Sequence, residues 1–114
     1  MPIRRHSRRS ALEGEFEWQL KVSGLAYVRE FKFHPNRRWR ADFHLSGWKI
    51  SKPGILVEIE GGNFSRGRHV RPLGFENDVE KYNEATILDY KILRGTARHV
   101  RNGQLLEWVK EALK

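Results

Sequence analysis

Two short segments near the middle of the chain alternate apolar and polar residues with a period of two. In residues 38–45 the odd positions are apolar and the even positions are polar or charged, and in residues 55–60 every odd position is apolar. Because successive side chains of a β-strand point to opposite faces, both patterns predict strands with one buried face. The residues between them include Ser-Gly and Lys-Pro-Gly, which is turn chemistry. The two strands are therefore expected to be neighbours in a meander.

Both predicted strands carry acidic residues on their polar faces. Asp42 belongs to the first strand, and Glu58 and Glu60 belong to the second. If the strands pair as neighbours, the three carboxylates converge on one exposed face of the sheet. The convergence depends on the register, since a slip by one residue would send a carboxylate row into the core.

The remaining sequence predicts helices and two further strands around this pair. Leu12, Phe16 and Leu20 recur at four-residue intervals, which predicts a helix over residues 11–22 that Ser10 caps. The other expected elements are a strand at 27–33, a helix at 76–90 with Val79, Tyr82 and Thr86 facing inward, a strand at 91–94, a strand end and turn at 98–103, and a closing helix at 105–113. This order predicts an α/β (α+β) fold, with a mixed central sheet flanked by helices.

Length and composition limit the organisation of the chain. Its 114 residues, of which 39% are hydrophobic, can bury one modest core, so we expect a basic flexible arm at residues 1–10 and one domain at 11–114. Without cysteine there is no disulfide or thiolate zinc site, and histidine and carboxylate are the remaining metal ligands. No apolar run is long enough to cross a bilayer, and no hydrophobic segment follows the arm as in a secretory signal. We expect a cytoplasmic protein, in a bacterial or phage-infected cell, with no membrane partner.

The positive charge indicates a polyanionic partner. The chain has 22 Lys and Arg against 14 Asp and Glu, a net charge of +8 and a pI near 10.2. Such an excess attracts DNA, RNA or an anionic membrane, and charge alone does not choose among them. The candidate phosphate contacts are arginines of the arm, of the strand at 38–45 and of a glycine-rich loop predicted at 61–71: Arg4, Arg5, Arg8, Arg9, Arg38, Arg40, Arg66, Arg68 and Arg71.

Acids at strand ends conflict with this attraction, because carboxylates repel phosphate. A divalent cation resolves the conflict: Mg²⁺ prefers oxygen ligands and binds a few protein carboxylates together with phosphate oxygens of the substrate. Bound Mg²⁺ or Mn²⁺ also supplies the charge relief and water activation that phosphodiester hydrolysis needs. The pattern predicts a metal-dependent nuclease in which Lys81 or His69 positions the nucleophile or stabilises developing charge.

The order of these motifs resembles the PD-(D/E)XK nuclease superfamily. An acidic helix comes first, then Arg-Trp-Arg-Ala-Asp-Phe at 38–43, Val-Glu-Ile-Glu-Gly-Gly at 57–62, a Gly-Arg-His loop at 67–69, Asp-Val-Glu-Lys at 78–81 and Lys-Ile-Leu-Arg at 91–94. Within the superfamily, the chain is most similar to the small endonucleases related to very-short-patch-repair enzymes, which often occur in phages. The resemblance implies a restriction-endonuclease-like core and Mg²⁺- or Mn²⁺-dependent DNA hydrolysis in repair or recombination.

The resemblance also implies roles for individual residues. Asp42 matches the metal-binding aspartate of the family, and Glu58 matches the acidic residue of its second strand. Glu60 stands where many members keep a lysine, and Lys81 is the candidate for a lysine displaced to a neighbouring helix; Glu60 is then available for a second ion or a water. Glu17 matches an additional acid that completes the metal site in some branches. The remaining match is His69, which resembles the histidine of the repair-endonuclease branch.

Simpler interpretations stay open for each of these residues. The strand acids can pair with nearby arginines, Glu17 can pair with Lys21 four residues on, and Lys81 can pair with Asp78 in solvent. On these terms the chain would be a basic nucleic-acid-binding module without catalysis, or an RNA-binding protein of ribosomal type. For the nuclease, contacts to phosphate favour recognition of a branch, junction or nick over a base sequence, and a homodimer would suit a junction.

Overall fold

The computed structural model describes residues 8–47, 49–60 and 72–114. Side chains are described at all of these positions except 8, 9, 72 and 73, and the described residues form eight helices and strands. The elements in chain order are α1 (Arg8–Val22), β1 (Val28–Lys32), β2 (Arg40–Leu45), β3 (Ile55–Glu60), α2 (Pro72–Ile87), β4 (Lys91–Thr96), α3 (Ala97–Arg101) and α4 (Gln104–Ala112).

The described strands form one mixed sheet in the order β1-β2-β3-β4. β1 and β2 are antiparallel, with Phe31 opposite Ala41, and β2 and β3 are antiparallel, with Phe43 opposite Val57. β4 runs parallel to β3, the crossover being made by the segment that contains α2. The predicted meander and the mixed sheet flanked by helices are confirmed.

Apolar side chains fill both faces of the sheet. On one face α1, α3 and α4 pack in a large cluster, whose buried members are Leu12, Phe16, Leu20, Phe43, Leu45, Ile55, Val57, Ile59, Val100, Leu105 and Val109. On the other face α2 covers a smaller cluster of Phe33, Ala41, Leu56 and Ala85. The result is a three-layer sandwich, and β3, in the middle, is buried along almost its whole length. No helix in the described ranges combines the length and apolar character needed to span a membrane.

The strand pattern differs from the sequence prediction at one rung of the sheet. Residues 39, 41, 43 and 45 were expected on one face, yet Trp39 and Ala41 pack in the α2 cluster while Phe43 lies in the α1 cluster. β1 changes face at the same level, because Glu30 between Arg29 and Phe31 has a left-handed φ of +51°. Strict alternation is therefore wrong here, since a local backbone distortion resets the period of two.

The orientation of α2 also differs from the prediction. The helix begins at Pro72 instead of residue 76, and Pro suits the first helical position, where its missing N–H has no helical partner. Val79 is 43% exposed and Thr86 is exposed, whereas Ala85 is buried and Lys81 is largely covered. The face towards the sheet thus carries a charged side chain that the apolar pattern excluded.

Two further boundaries were predicted wrongly. α1 begins at Arg8, so Ser10 lies inside the helix and does not cap it. Residues 98–103 were expected as a strand end and turn, but α3 occupies Ala97–Arg101. At its start the backbone N–H of Thr96 donates to His99 Nδ1 at 3.0 Å, a capping arrangement in which histidine takes the place of the usual Glu or Gln.

Candidate metal centre

Asp42 lies at the point where β2 and β3 separate. The regular pairing of these strands ends at Phe43 and Val57, which are the chain neighbours of Asp42 and Glu58. Beyond it, side chains replace the backbone ladder: Asp42 Oδ2 accepts the N–H of Ile59 at 2.7 Å, and the N–H of Asp42 donates to Glu58 Oε2 at 3.1 Å. Asp42 is only 4% exposed, so these two hydrogen bonds fix a carboxylate inside the protein.

Asp42 is part of a group of three carboxylates from three elements. Glu13 of α1, Glu30 of β1 and Asp42 of β2 each bring one oxygen to within 4.8 Å of the others. Oxygens that share a hard cation at about 2.0–2.6 Å are separated by roughly 3–5 Å. The donor set and the spacing therefore fit Mg²⁺, Mn²⁺ or Ca²⁺.

Glu13 and Glu30 reach Asp42 from different structural positions. Glu13 lies beside Leu12 on the buried side of α1 and is 7% exposed. Glu30 is at the left-handed residue of β1, and in the register of β1 and β2 the level of Glu30 is that of Asp42. A non-glycine residue in this conformation costs on the order of 1–3 kcal/mol, and such strain is concentrated at functional sites.

Glu17, the expected helical ligand, is held by other partners. Its two oxygens accept hydrogen bonds from Tyr27 Oη at 2.6 Å and from Arg29 Nη1 at 2.8 Å. The hydrogen bond from Tyr27, together with Arg29, lowers the pKa of Glu17. The helical acid in the three-carboxylate group is instead Glu13, one turn earlier. Because the two glutamates are four residues apart, the helical period places both on one side and does not choose between them.

Glu58 is buried next to this group and is bound by Lys81. Lys81 Nζ lies 2.9 Å from Glu58 Oε1 and 2.7 Å from the carbonyl oxygen of Arg40. Burial raises the pKa of Glu58, and the nearby Lys81 ammonium opposes that rise. The alternative interpretation of Lys81 as a solvent-facing partner of Asp78 is wrong, because 13% of its side chain is exposed and its amine lies on the sheet side of α2.

Glu60 is bound by Arg94 of β4 and is not a member of the acidic group. Its Oε2 accepts a hydrogen bond from Arg94 Nε at 2.8 Å and lies 3.4 Å from Tyr82 Oη. Within the described residues, Asp42, Glu58 and Glu60 do not form a ligand group, and the expected convergence is replaced by that of Glu13, Glu30 and Asp42. Glu58 and Glu60 each have an oxygen 3.4 Å from Tyr82 Oη on the α2 side, whereas Asp42 shares its group with Glu13 of α1 and Glu30 of β1.

The arginines predicted to bind phosphate are described only in part. Arg38 and Arg40 are exposed, and Arg40 Nη1 lies 4.0 Å from Glu30 Oε1, so a basic side chain borders the acidic group. The other candidates lie outside the described residues or have undescribed side chains: Arg4, Arg5, Arg8, Arg9, Arg66, Arg68, Arg71 and the loop histidine His69.

Comparison with solved structures finds a protein with the same fold. The chain superposes on the catalytic domain of the homing endonuclease I-Bth0305I with a TM-score of 0.60 and 14% sequence identity, covering 90% of this chain and 91% of that one. At this identity the similarity establishes a shared fold. No protein-family model matches the sequence, and no curated protein matches it.

Proposed function

We propose that this protein is a divalent-metal-dependent DNA endonuclease that hydrolyses phosphodiester bonds, and that Glu13, Glu30 and Asp42 hold its metal ion. The observation that carries the proposal is the meeting of three carboxylates at the distorted rung of the sheet, two of them buried, in a chain of net charge +8. A fold shared with an endonuclease catalytic domain supports it.

The chemistry follows from the ligand set. A bound Mg²⁺ or Mn²⁺ supplies Lewis-acid activation of a water and relief of the negative charge on the phosphate. Asp42 is held rigidly by the backbone of β3, and Glu13 and Glu30 approach it from α1 and β1. A rigid ligand set of this kind stays in place while the substrate phosphate binds, which is the protein's main contribution to such a reaction.

Glu58 and Lys81 form the second part of the proposed site. Lys81 Nζ contacts the buried Glu58 carboxylate at 2.9 Å, and Glu58 in turn accepts the backbone N–H of Asp42. Lys81 comes from α2, and we propose it for the role of the displaced lysine that the sequence resemblance implies. In this proposal Glu60 binds Arg94 and is not a ligand, while His69 is retained as a candidate proton donor or acceptor.

DNA is the proposed substrate, and its backbone is the proposed contact. Arg40 is exposed beside Glu30 of the acidic group, and Arg38, two residues earlier, is also exposed; we propose that both bind phosphates of the DNA backbone. Contacts of this type carry no base information, so we propose recognition of a branch, junction or nick, by a monomer or a homodimer.

The test is cleavage of supercoiled plasmid and of a four-way junction in Mg²⁺ or Mn²⁺, compared with EDTA. Asp42→Asn removes the central charge and should slow cleavage by about 10³-fold, equivalent to about 4 kcal/mol of lost transition-state stabilisation. Asp89→Asn, an exposed acid after α2, is the matched control and should cut at the wild-type rate. Equal cutting of linear and branched DNA would contradict the proposed preference for branched DNA. Full activity of Asp42→Asn would contradict the proposed metal site.

One observation favours the rival function of a binding module without catalysis. Glu13, Glu30 and Glu58 each have a basic neighbour, respectively Arg29, Arg40 and Lys81. These contacts provide charge balance without an ion. The cleavage assay together with a gel-shift experiment decides between the two functions. A binding module without catalysis binds DNA in the gel shift and cuts it in neither Mg²⁺ nor Mn²⁺.

A further inference from the structure

Arg29 connects the proposed metal site to a second group of side chains beneath α1. It lies on β1 opposite Phe43, and its guanidinium carbon is 5.0 Å from the centre of the Phe43 ring. Its Nη2 donates to Glu13 Oε1 at 2.6 Å, and its Nη1 donates to Glu17 Oε1 at 2.8 Å. One guanidinium therefore bridges two acids that are one helical turn apart.

The bridge fixes the spacing of these acids. Two glutamates four residues apart on a helix repel each other when both are charged. The planar guanidinium presents its N–H groups in a rigid fork, so both carboxylates are held at a set separation and direction. A lysine ammonium in the same place would attract both acids without fixing their planes. Arginine at position 29 therefore determines orientation as well as charge.

Glu17 and Tyr27 hold the far end of the bridge. Tyr27 Oη donates to Glu17 Oε2 at 2.6 Å, so both oxygens of Glu17 are used by protein donors. The ring of Tyr27 packs against Phe43, with 5.9 Å between the ring centres, which joins the anchor to the main core. Glu17 is thus fixed at both oxygens and in turn fixes Arg29.

We infer that Arg29 is a positioning residue for the proposed endonuclease site: it orients Glu13 towards Glu30 and Asp42, and Glu17 and Tyr27 orient Arg29. The inference rests on the proposed function, because it requires Glu13 to be a ligand. It gives Glu17 an indirect role in the site that the sequence resemblance had described as direct. Partners of metal ligands typically change metal affinity or activity by about 10–100-fold when they are removed.

The experiment measures Mn²⁺ binding to the full-length protein by electron paramagnetic resonance, without DNA, and then the metal dependence of cleavage. Arg29→Met should raise the Mn²⁺ dissociation constant by about 10–100-fold, and Arg29→Lys should recover part of the loss. Tyr27→Phe removes one hydroxyl group and should raise the constant by about 3-fold, the equivalent of one modest hydrogen bond. Cleavage by these variants should recover towards the wild-type rate at high Mn²⁺.

Arg37→Met is the matched control. Arg37 also contacts one glutamate and one aromatic ring, since its Nη2 is 3.3 Å from Glu80 Oε1 and its guanidinium carbon is 3.8 Å from the centre of the Trp39 ring. It makes these contacts beside α2, so its loss should leave Mn²⁺ affinity unchanged.

The outcomes separate this inference from the proposed function. If the wild-type protein binds no Mn²⁺ and cuts no DNA, the proposed function and the inference both fail. If Asp42→Asn abolishes Mn²⁺ binding while Arg29→Met and Tyr27→Phe keep the wild-type constant, the site stands and the inference is overturned. Should Arg29→Met not fold, Tyr27→Phe alone decides, and an unchanged constant overturns the inference.

Discussion

The carboxylate of Glu58 accepts a hydrogen bond from the backbone N–H of Asp42 at 3.1 Å, so an acid of β3 fixes the main chain of β2. The return contact is from Ile59 N–H to Asp42 Oδ2. This reciprocal arrangement takes the place of the β-ladder where the two strands separate. It also leaves the side chain of Glu58 buried beside Lys81, and the effect of that burial on stability can be measured.

Removal of Lys81 should destabilise the protein more than removal of a surface lysine. Lys81→Met leaves the Glu58 carboxylate buried without its cation, which should lower the free energy of unfolding by about 2–4 kcal/mol. The double variant Lys81→Met/Glu58→Gln should recover part of this loss, because the uncompensated charge is gone. Urea denaturation measures both quantities. Lys52→Met, which breaks the more exposed contact with Asp89, should cost at most about 1 kcal/mol.

Glycine at position 30 should improve stability and damage metal binding. Glu30→Gly relieves the left-handed backbone at φ +51°, so the free energy of unfolding in EDTA should rise by about 0.5–1 kcal/mol after the cost of glycine in a strand. The same change removes a proposed ligand, and Mn²⁺ affinity should fall. Asp89→Gly, at the other left-handed non-glycine position described, should not weaken Mn²⁺ binding. A Glu30→Gly protein with normal Mn²⁺ affinity would contradict the ligand assignment.

The pH dependence of stability should reveal the contacts of Glu17. The folded-state pKa of Glu17 lies below the ordinary value of 4.5. The contribution of its carboxylate to the free energy of unfolding is therefore fully present above pH 4.5. This contribution should be lost as the pH falls below 4.5 and through the lowered pKa. Chemical denaturation of wild type and Glu17→Gln over pH 2–7 should give curves that separate above 4.5 and converge in acid. Glu15→Gln, an exposed position on the same helix, serves as the control. Curves that run parallel down to pH 2 would contradict the lowered pKa.

Arg38 and Arg40 should contribute separately to the salt dependence of DNA binding. Each phosphate contact adds about 0.9 to the slope of log K against log salt for B-DNA. Arg38→Ala and Arg40→Ala should each reduce that slope by about this amount and weaken binding to all sequences alike. Lys114→Ala, at an exposed position after α4, should leave the slope unchanged. An unaltered slope in both arginine variants would place the DNA on another surface.

The sequence by itself determined the layered mixed sheet and most of its elements. Hydrophobic periods of two and of four residues are local properties, and they located β1 to β4 and most of α1, α2 and α4. The alternating pattern also indicated Asp42 as a candidate ligand, whereas Lys81 was a candidate only through the sequence resemblance, and its contact with Glu58 became visible in the structure.

The tertiary structure decided which acids meet. The left-handed residue at Glu30 and the face change at Asp42 break the period of two, so the expected partnership with Glu60 gives way to one with Glu13 and Glu30. The choice of Glu13 over Glu17 depends on Arg29 and Tyr27, which reach the helix from a different strand. No local pattern encodes such choices, because they arise from the packing of three elements that are distant in sequence.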